Sequence, residues 1–477
     1  MGNAKHIHLI GICGTAMASL AGMLKQRNYH VTGSDAAAYP PMSDFLQSLG
    51  IEIRQPYDAK NLSDRPDLVI VGNAISRGNP ELERVLDVRT PFRSLPQVLY
   101  DEFLVGREPI VVAGTHGKTT TTSMLSWIFQ VAGKSPSFLI GGIAENFGRS
   151  FGLGEGAQFI LEGDEYDTAF FDKGPKFLHY FPDSVILTSV EFDHADIYRD
   201  LEAVKTSFRR LVNLVPRRGV IIAHDNPGNV SDVLSKAFCT VERYGFSAQA
   251  QWQATDIRYE PEQTTWSVRR DGNLWAKFGF GLFGDFNVLN ATAAAAMASH
   301  YGIEPPAIAK ALRTFKSVKR RQEVRAEVNG ITIIDDFAHH PTAIAETLRA
   351  LKTRYAGRRI WAILEPRSNT LRRSVFQDDL VDSLAVADAV ILAGVFQKKT
   401  DSIPERELLD TGAVVAGLKQ MGTNARLIAE VDQIVETVAQ ELHSGDVVAI
   451  LSNGGFGGIY DKLPQKLKAL HEVKVSS

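Results

Sequence analysis

The chain has 477 residues, of which 44% are apolar and 22% charged, and its formal net charge is −3. This length exceeds what one hydrophobic core supports, so several domains are expected, and the lack of a basic bias argues against a nucleic-acid partner. Cys13 and Cys239 are too few for a disulfide framework. Because neither a signal-like N-terminus nor a long apolar run occurs, the sequence predicts a cytoplasmic protein without membrane contacts, either a monomer or a weak homo-oligomer.

The N-terminal part alternates strand-like and helix-like segments. His6–Ile10 and Leu68–Val71 are typical of buried strands, and a further strand starts at Val31. Apolar residues at helical spacing predict helices over 16–27 and 43–49. Strands separated by helices predict a parallel, Rossmann-like sheet.

The pattern breaks near residues 106–109 and again near 315–319, which divides the chain into three predicted domains, 1–106, 107–316 and 317–477. In the second domain, strands are predicted at 159–161, 185–189 and 220–223, antiparallel β structure over 251–283, and a helix over 291–300. In the third, strands are predicted at 332–334, 360–364, 389–392 and 447–451. The predicted fold class is α/β, with a Rossmann-like N-terminal domain, a central P-loop ATPase-like α/β domain and a C-terminal Rossmann-like α/β domain.

A short glycine loop opens the central domain. After the apolar run 110–113, the chain reads Gly114, Thr115, His116, Gly117, Lys118, Thr119 and Thr120, and a helix is predicted over 119–132. Backbone N–H groups at a helix start bind phosphate, and a lysine there neutralises it. The loop is shorter than the standard motif, so a chance Gly-Lys-Thr turn is the alternative. The arrangement predicts a nucleoside triphosphate site.

A second glycine turn follows the first strand, and it contains Gly11, Gly14, Thr15 and Met17, with Asp35 ending the second strand. The turn is similar to a dinucleotide fingerprint, but Cys13 stands at a position where glycine is usual. It could bind NAD or a UDP-sugar, or be a tight turn without a ligand.

Acidic residues and a histidine follow the central strands. Glu162 comes after one strand and the Asp193-His194 pair after another. Each residue alone is typical of a solvated loop. Because parallel strands end at one sheet edge, Glu162 and His194 are predicted to meet near the phosphate loop, where Thr119 adds a hydroxyl for Mg²⁺.

Further polar candidates lie at element ends. Asn287 and Asn290 are three residues apart, so they share a helical face and could contact adenine, or Asn287 could cap the helix. Arg321 could stabilise the charge that develops in phosphoryl transfer. Asp336 and the run 365–370 follow predicted strands, and the run offers arginine for binding a carboxylate.

Together these residues resemble the Mur ligases, the ATP-dependent amide-bond-forming enzymes of peptidoglycan metabolism. The resemblance covers all three domains and rests on the loop 114–119, Glu162, Asp193-His194, the Gly-x-x-Asn-x-x-Asn run at 284–290, Arg321 and Asp336. The stretches 11–17, 335–341, 365–370 and 452–458 are similar to members that join UDP-N-acetylmuramate to the recycled tripeptide L-alanyl-γ-D-glutamyl-meso-diaminopimelate. Members that add L-alanine are the alternative within the family.

The resemblance implies ATP and Mg²⁺ as cofactors, and UDP-N-acetylmuramate and a murein tripeptide as partners. It implies catalytic roles for Lys118, His194 and Arg321. It also implies metal ligation by Thr119 and Glu162, which would hold Mg²⁺, and by His194, which would hold a second ion. It implies nucleotide contacts by Gly114, Thr115, His116, Gly117, Lys118, Thr119, Thr120, Asn287, Asn290, Arg321 and Asp336. It implies substrate contacts by Gly11, Gly14, Thr15, Met17, Asp35, His339, Arg367, Ser368 and Asn369. Two alternatives from other classes are an NAD-dependent oxidoreductase acting on a UDP-sugar and a nucleotide-regulated binding module.

Overall fold

The computed structural model describes residues 5–38, 42–226, 228–396 and 403–476, which are built around three main sheets. The first sheet has the order β3-β2-β1-β4-β5, and all of its pairings are parallel, as predicted. Its strands are β1 (His6–Ile10), β2 (His30–Ser34), β3 (Glu52–Arg54), β4 (Leu68–Val71) and β5 (Phe92–Ser94), and its helices are α1 (Thr15–Gln26), α2 (Met42–Ser48), α3 (Pro80–Val88) and α4 (Leu95–Leu99).

The central sheet has ten strands in the order β17-β16-β15-β14-β13-β12-β6-β9-β7-β8, and a separate hairpin pairs β10 with β11. The strands are β6 (Glu108–Ala113), β7 (Ser137–Ala144), β8 (Arg149–Gly152), β9 (Gln158–Gly163), β10 (Asp167–Ala169), β11 (Asp172–Pro175), β12 (Ser184–Leu187), β13 (Val220–His224), β14 (Thr240–Gly245), β15 (Trp252–Tyr259), β16 (Thr264–Arg270) and β17 (Asn273–Phe280). The helices are α5 (Lys118–Val131), α6 (Leu201–Leu214), α7 (Asn229–Leu234), α8 (Asp285–His300) and α9 (Pro305–Arg313). The predicted antiparallel region is confirmed, because β16 pairs antiparallel with both β15 and β17.

Strands β6, β9 and β12 lie side by side in the middle of the central sheet, and they are parallel. Ile110–Ala113, Ile160 and Ile186 are fully buried, which explains why these strands read as continuous apolar runs. Their carboxyl ends therefore meet at one edge, where the phosphate loop, Glu162 and the approach to His194 follow. This is the geometric relation that the sequence predicted.

Helix α8 lies against α5 behind this edge. Beyond Asn290 its side chains are mostly small and apolar, and Ala291, the run 293–296 and Met297 are fully buried, because a helical segment without a polar face is stable only inside a core. It starts at Asp285, six residues before the predicted start at 291, so Asn287 and Asn290 lie in its first turns.

The third sheet has the order β18-β19-β23-β20-β21-β22, with β18 antiparallel and the others parallel. Its strands are β18 (Glu323–Val328), β19 (Ile331–Asp336), β20 (Ile360–Leu364), β21 (Ala389–Leu392), β22 (Asn424–Leu427) and β23 (Val447–Leu451), and its helices are α10 (Pro341–Arg354), α11 (Gln377–Leu384), α12 (Thr411–Gln420), α13 (Val431–Glu441) and α14 (Ile459–Ser476). The chain passes from the first sheet to the central sheet between residues 94 and 108, and from the central sheet to the third sheet between residues 280 and 323. The domain boundaries at 106/107 and 316/317 stay predictions within these intervals. No helix in the described ranges is long and apolar enough to span a membrane.

Candidate active site

The phosphate loop joins β6 to α5 and needs both of its glycines. Gly114 has φ +139°, and a Cβ there would lie 2.1 Å from the Thr188 hydroxyl. Gly117 has φ +79°, and its Cβ would lie 2.5 Å from Asn290 Oδ1. The residues after β12 and in α8 therefore lie in contact with the loop backbone, and only glycine fits at these two positions without displacing them.

Lys118 begins α5 and turns back into the loop. Its Nζ donates to Glu165 at 2.9 Å, to the Gly114 carbonyl at 2.6 Å and to the Thr115 carbonyl at 3.2 Å. Burial opposes the charge on this lysine, but Glu165, Asp164 and Glu162 more than offset that effect and raise its pKa. Lys118 is therefore a fixed cation within the loop.

Glu162 is the penultimate residue of β9, whereas the prediction placed it just after the strand. Asp164 and Glu165 follow the strand directly. Glu162 Oε2 accepts from the Gly141 backbone at 3.0 Å, and burial raises the pKa of Glu162 while Lys118 and the Thr119 hydroxyl oppose that shift. Burial also raises the pKa of Asp164, but Lys176, which donates to it at 2.6 Å, holds that pKa well below its ordinary value.

His194 reaches this cluster from the segment after β12. Its Nε2 lies 3.4 Å from Glu165 Oε1, and one ligand atom each from Asp164, Glu165 and His194 lie within 4.8 Å of one another. Burial lowers the pKa of His194, but Glu165 and Asp193 more than offset this and raise it to about 9. The structure therefore brings Glu162, Thr119 and His194 together around Lys118.

This donor set fits Mg²⁺. Glu162, Asp164 and Glu165 lie near one another, with Lys118, Lys176 and the His194 ring beside them. Carboxylate and hydroxyl oxygens are the ligands that Mg²⁺ prefers, and these three carboxylates and the Thr119 hydroxyl supply them.

A cleft beside the loop collects most of the predicted nucleotide residues. It is lined by His116, Gly117, Thr119, Thr120, Asn287, Asn290, Arg321 and Asp336, and also by residues that the sequence did not indicate, among them Phe286, Gln322, Glu346 and Thr347. Because Gly284 is the N-cap of α8 and the Asn287 amide donates to the Phe283 carbonyl, the helix-capping interpretation of Asn287 is wrong.

Arg321 and Asp336 are among the third-domain residues that line this cleft. The Arg321 guanidinium donates to the Thr119 hydroxyl at 3.3 Å and lies 5.0 Å from the Phe337 ring centroid. The Asp336 carboxylate accepts from the backbone of Gln322 and Ala338, each at 2.8 Å, and burial raises its pKa. The third domain therefore reaches the phosphate loop directly.

A second cavity adjoins the first on the His194 side. Its lining includes the predicted substrate residues of the third domain, His339, Arg367, Ser368 and Asn369, together with His194, Tyr166, Asp193, Thr370 and Asn453. The Arg367 guanidinium lies 3.8 Å from the Phe396 ring centroid and donates to Glu365 at 3.3 Å. Stacking and pairing hold its plane at the cavity wall.

The glycine turn of the first domain is braced by Asp35. One carboxylate oxygen of Asp35 accepts from the Cys13 backbone at 2.9 Å. Gly11 has φ +82°, and Gly14 is the N-cap of α1 without a capping side chain. Thr15 begins the helix and is exposed, whereas the Met17 side chain is buried. The helix start thus presents unoccupied backbone N–H groups beside Asp35.

Sequence reasoning missed two important acids. Glu165 pairs with both Lys118 and His194, and Glu191 accepts from His116 Nε2 at 3.2 Å and from the Thr342 hydroxyl at 2.7 Å. Glu165 belongs to the same acidic run as Glu162, and its position just after β9 could have identified it as a residue of the site. The pairing of Glu191 with Thr342 depends on how two domains dock, which no local pattern indicates.

The fold and this site define an ATP-dependent ligase built from three α/β domains. Residues 6–103 match the family model for the Mur ligase family, catalytic domain, residues 112–298 the Mur ligase middle domain, and residues 320–454 the Mur ligase, glutamate ligase domain. The chain belongs to the Mur ligase family.

The chain is also similar to individual members of the family. The chain is 44% identical over 458 residues to the UDP-N-acetylmuramate–L-alanyl-γ-D-glutamyl-meso-2,6-diaminoheptandioate ligase of Escherichia coli (strain K12), covering 96% of this chain and 97% of the relative. It is similar to the crystal structure of a murein peptide ligase from Psychrobacter arcticus 273-4, with TM-score 0.74, 37% identity, and coverage of 97% and 99%. A UDP-N-acetylmuramate–L-alanine ligase of Geobacter sp. (strain M21) is 32% identical over 476 residues, 99% of each chain.

Proposed function

We propose that this protein joins UDP-N-acetylmuramate to the tripeptide L-alanyl-γ-D-glutamyl-meso-diaminopimelate at the expense of ATP. The observation that carries the proposal is that Glu165 joins the phosphate loop to His194, because it accepts from Lys118 at 2.9 Å and lies 3.4 Å from His194 Nε2. The nucleotide cleft lies on the loop side of this cluster, and His194 lines the Arg367–Asn369 cavity. A triphosphate site that adjoins a polar cavity suits the activation of a carboxylate and its transfer to an amine.

The reaction follows from this arrangement in two steps. The lactoyl carboxylate of the muramic acid attacks the γ-phosphorus of ATP, and ADP leaves, which forms an acyl phosphate. The α-amine of the tripeptide then attacks the acyl carbon, and inorganic phosphate leaves as the amide forms. Lys118 and the loop N–H groups offset charge on the β- and γ-phosphates, while Arg321 approaches the same phosphates from the third domain.

Thr119 and Glu162 would hold one Mg²⁺, and His194 would hold a second. When bound, Mg²⁺ neutralises phosphate charge and orients the triphosphate for in-line transfer. Asn287 and Asn290 line the cleft, with Asn290 against Gly117, and they would contact adenine, while Asp336 would contact the ribose. The start of α1, with its free N–H groups, would bind the diphosphate of the UDP-sugar.

An acyl phosphate is hydrolysed by water, so the site must exclude solvent during the lifetime of that intermediate. The hydrogen bond from Arg321 to Thr119 joins the third domain to the phosphate loop, and the third domain would close over the nucleotide through this contact. His339, Arg367, Ser368 and Asn369 would then hold the peptide acceptor, with Arg367 suited to a carboxylate of the tripeptide.

The proposal is tested by measuring ADP release with UDP-N-acetylmuramate and a panel of amine acceptors. The tripeptide should support turnover, while free L-alanine and reactions without UDP-N-acetylmuramate should give only background. Turnover with L-alanine instead of the tripeptide would assign the protein to the L-alanine ligases. Hydride transfer between NAD and a UDP-sugar, without ADP release, would favour the oxidoreductase alternative.

A further inference from the structure

His194 is held in a backbone conformation that only its surroundings can maintain. Its φ is +55°, in the left-handed region that non-glycine residues avoid, and it occupies the middle of the segment 191–196, called here the His194 segment. Such conformations persist only where neighbouring structure enforces them, so residues around His194 must hold its backbone in place.

A single hydroxyl of the third domain bonds both neighbours of His194. Thr370 Oγ1 donates to Asp193 Oδ1 at 2.7 Å and accepts from the Ala195 N–H at 3.2 Å. Asp193 Oδ1 also accepts from the His194 N–H at 2.6 Å. Because Thr370 is only 2% exposed, water does not compete for these bonds.

The third domain also contacts the rest of the His194 segment. Thr342 donates to Glu191 at 2.7 Å, His340 Nε2 donates to the Phe192 carbonyl at 3.1 Å, and Asn369 donates to Asp196 at 2.6 Å. The His194 ring, by contrast, points to Glu165 in the central domain. The segment is thus held on one side by the third domain and presents its imidazole on the other.

We propose that Thr370 is a positioning residue for the metal site: by fixing both flanks of His194, it sets the imidazole where a divalent cation needs it. This rests on the proposed role of His194 as a metal ligand. Its consequence is that one metal site of the central domain is complete only when the third domain is docked. Replacing a group that orients a metal ligand typically lowers metal affinity or activity about 10- to 100-fold.

The test uses the full-length protein and Mn²⁺ as an electron paramagnetic resonance probe, with a non-hydrolysable ATP analogue present. Thr370→Val removes both hydrogen bonds at nearly constant volume, and Thr370→Ser keeps them. The matched control is Thr353→Val, which removes an exposed hydroxyl of α10 that donates only to the Arg349 carbonyl. Circular dichroism checks the fold, and Thr370→Ala replaces Thr370→Val if the latter does not fold.

We expect the wild-type protein to bind two Mn²⁺ ions and Thr370→Val to bind one of them about 10- to 100-fold more weakly. Thr370→Ser and Thr353→Val should bind both as the wild type does. Unchanged Mn²⁺ binding in Thr370→Val, even with reduced turnover, would overturn the inference, as would a single Mn²⁺ in the wild type. If Mn²⁺ binding responds as expected but no acceptor supports ligation, the proposed function fails and the positioning role stands.

Discussion

His340 is a buried histidine between the third domain and the phosphate loop, and it should make stability depend on pH. It is 5% exposed, its Nε2 donates to the Phe192 carbonyl, and its Nδ1 accepts from the Thr342 N–H at 3.3 Å. Burial, followed by the nearby His116 ring, lowers the pKa of His340 from 6.5 to about 4. The folded protein therefore keeps this ring neutral at pH 7.

The direction in which stability changes with pH depends on whether the folded or the unfolded state protonates His340 at the higher pH. As the pH falls below 6.5, the unfolded chain protonates this histidine and the folded protein does not, so the free energy of unfolding falls. The contribution is complete above pH 6.5 and is lost between pH 6.5 and about 4. At roughly 1.4 kcal/mol per unit of pKa difference, the loss approaches about 3 kcal/mol.

The assay is urea unfolding followed by circular dichroism at pH 7.5 and 4.5, comparing wild type with His340→Gln, whose amide can still donate to the Phe192 carbonyl. Other groups titrate in this range, for example Asp335, whose pKa burial raises to about 6 and whose effect has the opposite sign. Their contributions cancel in the difference between the two proteins. We expect the wild type to lose about 2 kcal/mol more than the variant on acidification.

His300→Gln, which replaces an exposed histidine at the end of α8, is the matched control and should behave as the wild type. Equal losses of stability by His340→Gln and the wild type between these two pH values would show that His340 does not carry this pH dependence. A larger loss by the variant would reverse the sign of the linkage and would equally exclude this role of His340.

Three further outcomes are expected. Lys118→Ala should lower turnover about 10³-fold in the ADP-release assay, because it removes the cation that faces the phosphates; near-wild-type ligation would exclude that role. Arg321→Ala should raise the KM for ATP and lower kcat, and Arg321→Lys should recover only part of both, since a lysine lacks the planar fork; full recovery would mean that charge alone matters. Gly114→Ala should lower the midpoint of thermal unfolding more than Gly133→Ala does. Both positions have positive φ, but a Cβ added at Gly114 would meet Thr188, whereas one added at Gly133 has nothing within 4 Å. Equal shifts of the midpoint would show that the loop moves to accept the added methyl group.

Much of the architecture could be predicted because local patterns carry it. The bounds of β1, β4, β20, β21 and β23 agree with the prediction residue by residue. Of these, β4, β20 and β23 are short apolar runs followed directly by glycine or a polar residue. The short edge strand β22 was missed, because Asn424–Leu427 mixes polar and apolar residues. The start of α8 was placed too late, because its first turns carry polar side chains that face the cleft.

The site was predictable to the extent that it consists of residues at strand ends. Loop 114–119, Glu162 and His194 meet as expected, because parallel strands share a carboxyl edge. Which acid pairs with Lys118 was not predictable. Glu162, Asp164 and Glu165 are within four positions of one another, and only the path of the chain after β9 places Glu165 nearest to the lysine.

The sequence by itself determined the order of strands and helices, the phosphate loop and the residues available at each strand end. These depend on interactions between residues that are close along the chain. Only the tertiary structure decided that Thr370 bonds the flanks of His194 and that Arg321 reaches Thr119. Those contacts join residues 177 and 202 positions apart, and they depend on how two separate hydrophobic cores dock, which no local pattern records.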